Sequence, residues 1–388
     1  MSLLSPAQQV SNPLCSAPAD HQPSEDPLPA DEYAGDEELD TEWLSAQVGA
    51  SVGCSHRIVR HLASGGMGHV FVAEHEFLGA RAAVKVPRYA NATGRKILEA
   101  EARLLAKLEH PNIVRALDVG QLADGRMYLL LEHVQGIELG AWLEARGTMP
   151  FDRCLAVLKQ VASAVDYLHL KGIVHGDIKP ANILVDASAN DFVKLVDFGI
   201  ASNTTRNDRR GVLGTPAYMA PEQARGEAWG PLSDVYAVAA LALQMLTGHP
   251  PHEHRSAQEV LTAVLTQPAP TPSALGLQIP NLDEVFQRGL HPDPTQRFAR
   301  ASGFVNALIE VLQPAVMTRP APEVRQEKVS DVVAMQEQPP AAVLAPQAAR
   351  GAAVSYLFGR LGPVWGDRVL RRFAAGLVAA AFIVSMYG

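Results

Sequence analysis

The fold of this chain is decided by two neighbouring stretches, His175-Gly176-Asp177-Ile178-Lys179-Pro180-Ala181-Asn182-Ile183-Leu184 and Lys194-Leu195-Val196-Asp197-Phe198-Gly199. They bring two carboxylates, a lysine and an asparagine into a short length of chain. Phosphoryl transfer needs a carboxylate that orients the attacking hydroxyl, a cation near the transferred group and oxygen ligands for Mg²⁺. Asp177 and Lys179 match the first two needs. Asn182 and Asp197 match the third.

A glycine-rich turn and a strand that ends in lysine precede these stretches. The turn reads Leu62-Ala63-Ser64-Gly65-Gly66-Met67-Gly68-His69-Val70, and its glycines allow backbone amides to approach phosphates closely. Alone it is weak evidence, because Ala63 replaces the first glycine of a G-x-G-x-x-G pattern. The next strand, Ala82-Ala83-Val84-Lys85, strengthens it. A lysine that closes an apolar strand must place its ammonium group in a polar site, and nucleotide phosphates supply one.

Lys85 also needs an acidic partner, and the next helix offers two. Apolar residues recur at helical spacing over Ile97–Leu108, and His110-Pro111 ends the pattern. Glu99 and Glu101 both lie on this predicted helix. We expect Glu101 to be the partner, because it begins the order Glu-Ala-x-x-Leu-x-x-Leu-x-His-Pro.

With these motifs in order, residues 56 to about 313 resemble a eukaryotic-like (Hanks-type) serine/threonine protein kinase of the bacterial kind. The ordered series continues with Gly-Thr-Pro-Ala-Tyr-Met-Ala-Pro-Glu over residues 214–222, then Asp234 and Arg297. The resemblance implies an α+β fold with a small β-rich N-lobe and a larger helical C-lobe. The pattern agrees with strands over Ile58–Leu62, Val70–Glu74, Arg81–Val86 and Met127–Val134, and helices over Ile97–Leu108, Phe151–Leu170, Asp234–Leu246 and Ala257–Leu265.

The resemblance also implies a binding site for ATP and Mg²⁺. Lys85 is then expected to hold the α- and β-phosphates, and the backbone of the hinge Glu132–Val134 to bond the adenine edge beyond the gatekeeper Leu131. The expected catalytic residues are Asp177, Lys179, Lys85 and Glu101, and the expected metal ligands are Asn182 and Asp197. The residues expected around the nucleotide are Ala63, Ser64, Gly65, Gly66, Met67, Gly68, Val70, Ala83, Lys85, Glu132, Val134 and Leu184.

The resemblance to the kinase family implies two scaffold contacts, and the sequence departs from the family pattern at Ala63 and at Gly176. Glu222 is expected to pair with Arg297 in the helical lobe. Asp234 is expected to hold the backbone of residues 175–184, here called the catalytic stretch, from below. Gly176 stands where many kinases carry an arginine before the catalytic aspartate. Neither Gly176 nor Ala63 removes a chemical group that transfer needs.

The expected acceptor is a serine or threonine hydroxyl on another protein. Lys179 and Gly214-Thr215-Pro216 resemble serine/threonine kinases, whereas tyrosine kinases carry a different pattern after the catalytic aspartate. Two alternatives stay open. A pseudokinase would bind nucleotide or partners without turnover, although the lysine and both aspartates whose loss usually marks one are present. A small-molecule kinase shares the lobes and metal carboxylates, but residues 214–222 resemble the groove for a protein substrate.

Charge and cysteine content limit the kinds of partner and the cell compartment that we expect for this chain. The 388 residues carry a net charge of −8, and residues 1–50 contain ten Asp and Glu with no Lys or Arg. The remainder has no basic patch for nucleic acid, so we expect no nucleic-acid partner. Cys15, Cys54 and Cys154 lie too far apart in sequence for a disulfide framework or a Cys-x-x-Cys metal site. With no secretory signal at the N-terminus, we expect a cytoplasmic kinase domain.

Composition predicts four regions: an acidic disordered leader (1–55), the kinase domain (56–313), a Pro/Ala-rich linker (314–352) and a hydrophobic tail (353–388). Within the leader, Leu39–Val48 mixes acidic and apolar residues, including Trp43 and Leu44. Such a patch either docks on a partner or is a solvated tail, and the solvated tail is the simpler interpretation.

The tail is the basis for a membrane hypothesis. Phe373–Gly388 contains sixteen residues without charge and follows Arg368, Arg371 and Arg372, which the positive-inside rule assigns to the cytoplasm. As a helix it would be about 24 Å long, against a hydrocarbon core of about 30 Å. A packed or partner-docking helix is the competing interpretation. An anchor here would hold the kinase at the inner membrane without an external sensor domain after it.

Overall fold

Most strands lie in the first part of the chain and most helices in the second, which confirms the predicted two-lobed α+β fold. The structure, a computed structural model, describes residues 43–65, 68–88, 92–198, 216–253 and 256–318. All of these lie in one unit that ends at Pro320. Most of the predicted leader and linker, and the whole hydrophobic tail, lie outside the described residues.

The elements are named in chain order. The strands are β1 (Ser51–Val52), β2 (His56–Gly65), β3 (Gly68–His75), β4 (Arg81–Pro87), β5 (Ala116–Gln121), β6 (Met127–Glu132), β7 (Ile137–Glu138), β8 (Ile183–Asp186) and β9 (Phe192–Leu195). The helices are α1 (residues 43–47), α2 (Ala92–Leu105), α3 (Leu139–Arg146), α4 (Phe151–Leu170), α5 (Pro221–Ala224), α6 (Pro231–Thr247), α7 (Ala257–Thr266), α8 (Leu282–Gly289) and α9 (Ala301–Thr318).

The N-lobe is an antiparallel sheet in the order β1-β2-β3-β4-β6-β5. Side chains along a strand alternate between the two faces of a sheet. In β4, Ala83 and Lys85 therefore share the inner face, which looks towards the C-lobe, whereas Ala82 and Val84 lie on the outer face. Both outer-face residues are buried, so the sheet must be covered on that side as well.

The cover of the outer face comes from residues that we assigned to the disordered leader. Val52 is 1% exposed and joins Phe71 and Val84 in one hydrophobic cluster, against which Trp43 and Leu44 also pack. The folded chain therefore begins before the predicted boundary at residue 56. This segment, residues 43–55, carries no charged residue and its apolar residues are mostly small, and we grouped it with the acidic region before it. The apolar pair that we considered for a partner is used within the chain itself.

Helix α2 carries the acidic partner of Lys85. Leu98, Ala102 and Leu105 recur on one face and are buried. The helix ends at Leu105, earlier than the predicted end at Leu108. Residues 106–108 form a turn, and the chain then leads to β5 and β6.

The C-lobe is built around α6. This helix is buried over almost its whole length, as expected for a helix that is apolar all round. It begins with Pro231 at a first-turn position, where the missing backbone N–H costs nothing. Gly248 caps its C-terminal end with a φ of 84°, a left-handed conformation that glycine adopts readily. The described helices nearest to it are α4, α8 and α9.

The two lobes meet along the strand that leads to Asp197. Ile113, which follows α2, forms an isolated parallel bridge with Leu195 at the end of β9. The Val114 backbone donates to the Leu195 carbonyl at 3.0 Å, and the Leu195 backbone donates to Asn112 at 2.8 Å. Asp197 is thereby placed at the junction of the lobes.

Within the described ranges, no helix is both long enough and apolar enough to cross a bilayer. The predicted anchor, Phe373–Gly388, lies outside them.

Candidate active site

Lys85 is the centre of the site, because it contacts carboxylates from two other parts of the chain. Its Nζ donates to Glu101 Oε1 at 2.7 Å and Oε2 at 2.9 Å, and to Asp197 Oδ1 at 2.8 Å. Lys85 is 5% exposed and Glu101 is 3% exposed. Glu99, the alternative partner, binds Arg95 on the outside of the helix instead.

The charges of this group depend on one another. Burial alone would lower the pKa of Lys85, but the carboxylates of Glu101 and Asp197 outweigh burial and raise it well above its ordinary value. Burial would raise the pKa of Asp197, and the ammonium group of Lys85 outweighs that effect and lowers it. Lys85 and Asp197 therefore each stabilise the charged form of the other, whereas burial raises the pKa of Glu101.

The catalytic stretch forms a second group of contacts beside the first. Lys179 Nζ donates to Asp177 Oδ2 at 2.8 Å. Asn182 Nδ2 donates to the same oxygen at 2.9 Å and to the Asp177 carbonyl at 2.8 Å. The same amide also approaches the Asp197 carbonyl at 3.4 Å, so it links the two groups. Asn182 lies in the short 3₁₀ helix Pro180–Asn182, whose turn folds the amide back towards Asp177.

Asp234, at the start of α6, holds the backbone of the catalytic stretch. Its Oδ2 accepts from the His175 backbone N–H at 2.9 Å, and its Oδ1 accepts from that of Gly176 at 2.8 Å. His169 Nε2 approaches Oδ2 at 2.8 Å. Gly176 has a φ of 77°, a conformation that glycine adopts without strain. The Gly176 carbonyl accepts from Gln223 Nε2 at 3.1 Å, so both backbone groups of this residue are fixed.

The glycine-rich turn is a hairpin that joins β2 to β3. Ala63 pairs with Val70, Ser64 with His69 and Gly65 with Gly68. A side chain at Gly68 would place its Cβ 2.1 Å from the Val86 carbonyl oxygen, so only glycine fits there. Gly66 and Met67, which we predicted to contact the nucleotide, lie outside the described residues.

The predicted adenine side of the site lies on the inner face of the sheet. Val70 pairs with Lys85, and Ala83 pairs with Leu131, so these side chains share one face. The carboxylate of Glu132 points to structural partners: it accepts from the Arg115 backbone at 2.8 Å and from Lys194 Nζ at 2.5 Å. The side chain of this hinge residue is thus used by structural contacts, and its backbone N–H donates to the Arg115 carbonyl at 2.9 Å.

Val134 and Leu184 are the remaining residues that we predicted to contact the nucleotide. Val134 follows β6 and is half-buried. Leu184 lies in β8, pairs with Glu138 in β7 and is also half-buried.

Three residues of the site were missed by sequence reasoning. His169 and Gln223 support the catalytic stretch, and neither belongs to a motif that marks them. Glu138 has a further carboxyl group near Asp197, and burial together with the negative charge of Asp197 raises its pKa. These residues reach the site through tertiary contacts, which spacing alone does not reveal.

The site suits a nucleotide with a hard divalent cation. Asp197 and Asn182 offer carboxylate and amide oxygens, the ligands that Mg²⁺ prefers. Among the described residues, no group donates to the side-chain oxygen of Asn182, which leaves it for a cation. The described residues hold no cluster of three or more His, Cys, Asp or Glu suited to a metal. A cation bound by one or two protein groups together with phosphates and water, as is usual for Mg²⁺, needs no such cluster.

A buried ion pair supports the site from the C-lobe. Arg297 donates to both oxygens of Glu222 at 2.8 Å, and the Ser233 hydroxyl donates to Glu222 Oε1 at 2.6 Å. Arg297 also donates to the Leu232 carbonyl at 2.8 Å, at the start of α6. Burial would raise the pKa of Glu222, but the hydrogen bonds from Arg297 and Ser233 outweigh it and lower that pKa. The pair fixes the helix start that carries Asp234.

Comparison with protein families supports this geometry. Residues 56–320 match the family model described as "Protein kinase domain". The chain belongs to the protein kinase family. The motif residues that we described from Lys85 to Arg297 all lie within the matched region of this kinase domain.

Several curated bacterial kinases are similar to this kinase domain. The serine/threonine-protein kinase PknH of Mycobacterium bovis is 35% identical over 76% of this chain and 50% of its own length. PknD of Mycobacterium tuberculosis is 36% identical over 69% of this chain and 41% of its own length. PrkC of Bacillus subtilis is 33% identical over 66% of this chain and 40% of its own length. The chain thus spans half or less of the length of these relatives.

Breaking the Glu222–Arg297 pair should be costly. In Glu222→Ala the guanidinium of Arg297 stays buried without its carboxylate, and we expect a loss of about 3–5 kcal/mol in the free energy of unfolding. Glu227→Ala, which removes the exposed pair with Arg225, should cost less than about 1 kcal/mol. Urea unfolding at neutral pH measures both. Equal losses in the two variants would contradict the supporting role of the buried pair.

Proposed function

We propose that this chain is a serine/threonine protein kinase, which transfers the γ-phosphoryl group of Mg-ATP to hydroxyls of proteins in bacterial signalling and autophosphorylates. The observation that carries the proposal is the contact of Lys85 with both Glu101 and Asp197. It supports the proposal because the ammonium group that would bind phosphates and the carboxylate that would bind the metal lie side by side at the junction of the lobes. The catalytic stretch lies directly beside them.

Each group of residues has a distinct task in this mechanism. Mg-ATP, when bound, supplies the transferable phosphoryl group and the metal charge that neutralises it. Lys85 holds the α- and β-phosphates, and Glu101 keeps its ammonium group in place. Asp197 and Asn182 are the metal ligands. The glycine-rich hairpin covers the nucleotide with backbone N–H groups.

Asp177 orients the acceptor hydroxyl. One of its oxygens, Oδ2, is held by Lys179 and Asn182. Among the described residues, nothing donates to Oδ1, so this oxygen is left to accept a hydrogen bond from the attacking hydroxyl. Lys179 then provides positive charge near the transferred group, while its contact with Asp177 keeps that carboxylate fixed.

The acceptor class rests on two supports. Lys179 and Gly214-Thr215-Pro216 follow the serine/threonine pattern, and the relatives described above carry that name. Ala217, just after this stretch, packs on Val260 and Val264 of α7, which attaches it to the helical lobe. The resemblance of residues 214–222 to the groove for a protein substrate favours a protein acceptor over a small molecule.

Loss of the phosphate clamp or of a metal ligand should abolish activity. We expect Lys85→Met and Asp197→Asn each to abolish autophosphorylation. Asp177→Asn should do the same and leave ATP binding nearly intact, because it changes only the group that meets the acceptor. Incubation of the purified variants with labelled Mg-ATP and a generic acceptor protein measures both properties. Lys96→Met, at an exposed position of α2, is the matched control and should keep its activity.

The same assay separates the alternatives. Near-normal activity in any of the three variants, at saturating Mg-ATP, would contradict the assigned roles. A wild-type chain that binds ATP and transfers nothing would instead identify a pseudokinase.

A further part of the proposal concerns activation. An arginine before the catalytic aspartate commonly needs a phosphate on the activation loop to balance its charge. Gly176 brings no such charge, and its backbone is already fixed by Asp234 and Gln223. We therefore propose that catalysis does not depend on a phosphorylated loop. Thr204 and Thr205 lie in the sequence between Asp197 and Gly214 and are candidate positions for such a phosphate; both are outside the described residues.

Removing loop phosphate should leave most of the activity. We expect phosphatase-treated wild type and the double variant Thr204→Ala/Thr205→Ala to have initial rates on one protein substrate within about tenfold of the untreated enzyme. A fall of a hundredfold or more in the double variant, equivalent to about 2.7 kcal/mol of transition-state stabilisation, would show that the loop is gated by phosphate. Mass spectrometry of each preparation establishes its phosphorylation state.

The placement of the kinase in the cell is also a proposal. We propose that the kinase domain lies in the cytoplasm and that Phe373–Gly388 anchors it to the plasma membrane. The support is the uncharged segment together with the three arginines before it. No partner is assigned to the acidic residues before Trp43.

The anchor makes a simple prediction for cell fractionation. The full-length chain should sediment with membranes and resist extraction by high salt, because the attachment is apolar. A chain truncated after residue 352 should move to the soluble fraction and keep its kinase activity. Recovery of the full-length protein entirely in the soluble fraction would contradict the anchor.

A further inference from the structure

Trp43 lies between two hairpins of the N-lobe, and the proposed mechanism does not use it. On one side its ring centroid is 5.8 Å from that of His69 and 6.0 Å from that of Phe71, with an edge-on approach to Phe71. On the other side its Nε1 donates to Asp124 Oδ2 at 2.6 Å, and the Arg126 guanidinium lies 4.1 Å above the ring. The ring is therefore held by the turn between β5 and β6 and rests on β3.

His69 connects this ring to the glycine-rich hairpin. It is 1% exposed, and its Nδ1 lies 2.9 Å from the Ser64 hydroxyl. The same hydroxyl lies 3.1 Å from His61 Nε2. Ser64 and His69 are also direct partners across the hairpin. A continuous set of contacts thus runs from Trp43 to the part of the chain that covers the nucleotide.

The hairpin needs support from outside because its own pairing is irregular. The β2–β3 register shifts between Ile58 and Arg60, and again between His61 and Ala63, just before the turn. Each shift interrupts the regular ladder and bends the strand. On the other side of the turn, β3 pairs regularly with β4 up to Gly68. The β2 side, which carries Ser64, is therefore the side whose position depends on side-chain contacts on the outer face.

We propose that Trp43 is a positioning residue for nucleotide binding: by packing on His69 it holds Ser64, and with it the glycine-rich hairpin, in the arrangement that receives the phosphates. The inference rests on the proposed kinase function. It assigns to residues before the matched family region a part in the nucleotide site. Trp43 itself touches no reacting atom.

A purely structural role for Trp43 is the competing explanation, and Leu44 provides the matched control. Leu44 packs against the same outer-face cluster, but it has no ring to stack on His69. Truncation of either side chain removes apolar contacts from one cluster and should lower the melting temperature. Only truncation of Trp43 removes the contact that leads to the hairpin.

The test compares kinetics and direct nucleotide binding in four variants, at a temperature where all are folded. Trp43→Ala should raise the KM and the Kd for Mg-ATP about fivefold and leave kcat within about twofold, as expected for loss of an aromatic contact. Ser64→Ala, at an exposed position, should raise both in the same direction. Trp43→Phe, which keeps a ring, should restore values within about twofold of wild type, and Leu44→Ala should match wild type equally well.

The outcomes separate this inference from the proposed function. An unchanged Kd for Mg-ATP in Trp43→Ala would overturn it, whatever the result for Ser64→Ala, because Ser64 is itself expected to contact the nucleotide. An equal rise in Leu44→Ala would also overturn it, because general loss of packing would then explain the effect. If the wild type transferred no phosphoryl group, the proposed function would fail, whereas the Kd series would still test the role of Trp43.

Discussion

The buried ammonium group of Lys85 is the constraint on which the rest of the structure depends. A buried charge is unfavourable unless opposite charges and hydrogen bonds compensate it. The compensation comes from α2 through Glu101 and from the chain after β9 through Asp197. Three separate parts of the chain must therefore come together before Lys85 can be buried. This requirement ties the sheet, the helix and the lobe junction to one arrangement.

Much of this arrangement could be predicted from the sequence, because local patterns determine it. The predicted helix Phe151–Leu170 agrees with the structure at both ends. The choice of Glu101 over Glu99 depended on its place in a helix pattern, and the contact with Lys85 follows it. Residues that belong to a sequence motif could thus be identified from the motif and from its resemblance to the kinase family.

The rest depends on contacts that are distant in sequence. His169 and Gln223 reach the catalytic stretch because the helices that carry them pack beside it, and nothing in their own neighbourhood marks them. Trp43 and Val52 were placed in a disordered leader, because we grouped residues 43–55 with the acidic region before them, although this segment carries no charge of its own. Only the uncovered outer face of the N-lobe sheet explains why they fold, and that face exists only once the sheet has formed.

The burial of α6 has a consequence for how the catalytic stretch comes into being. The carboxylate of Asp234 that holds the His175 and Gly176 backbone belongs to the first turn of this core helix. The catalytic geometry therefore depends on the first turn of α6 being folded. In terms of local unfolding, we expect the amide protons of His175 and Gly176 to be protected together with the start of this core helix. The shape of the catalytic stretch is inherited from the hydrophobic core and does not have to be assembled when a substrate binds.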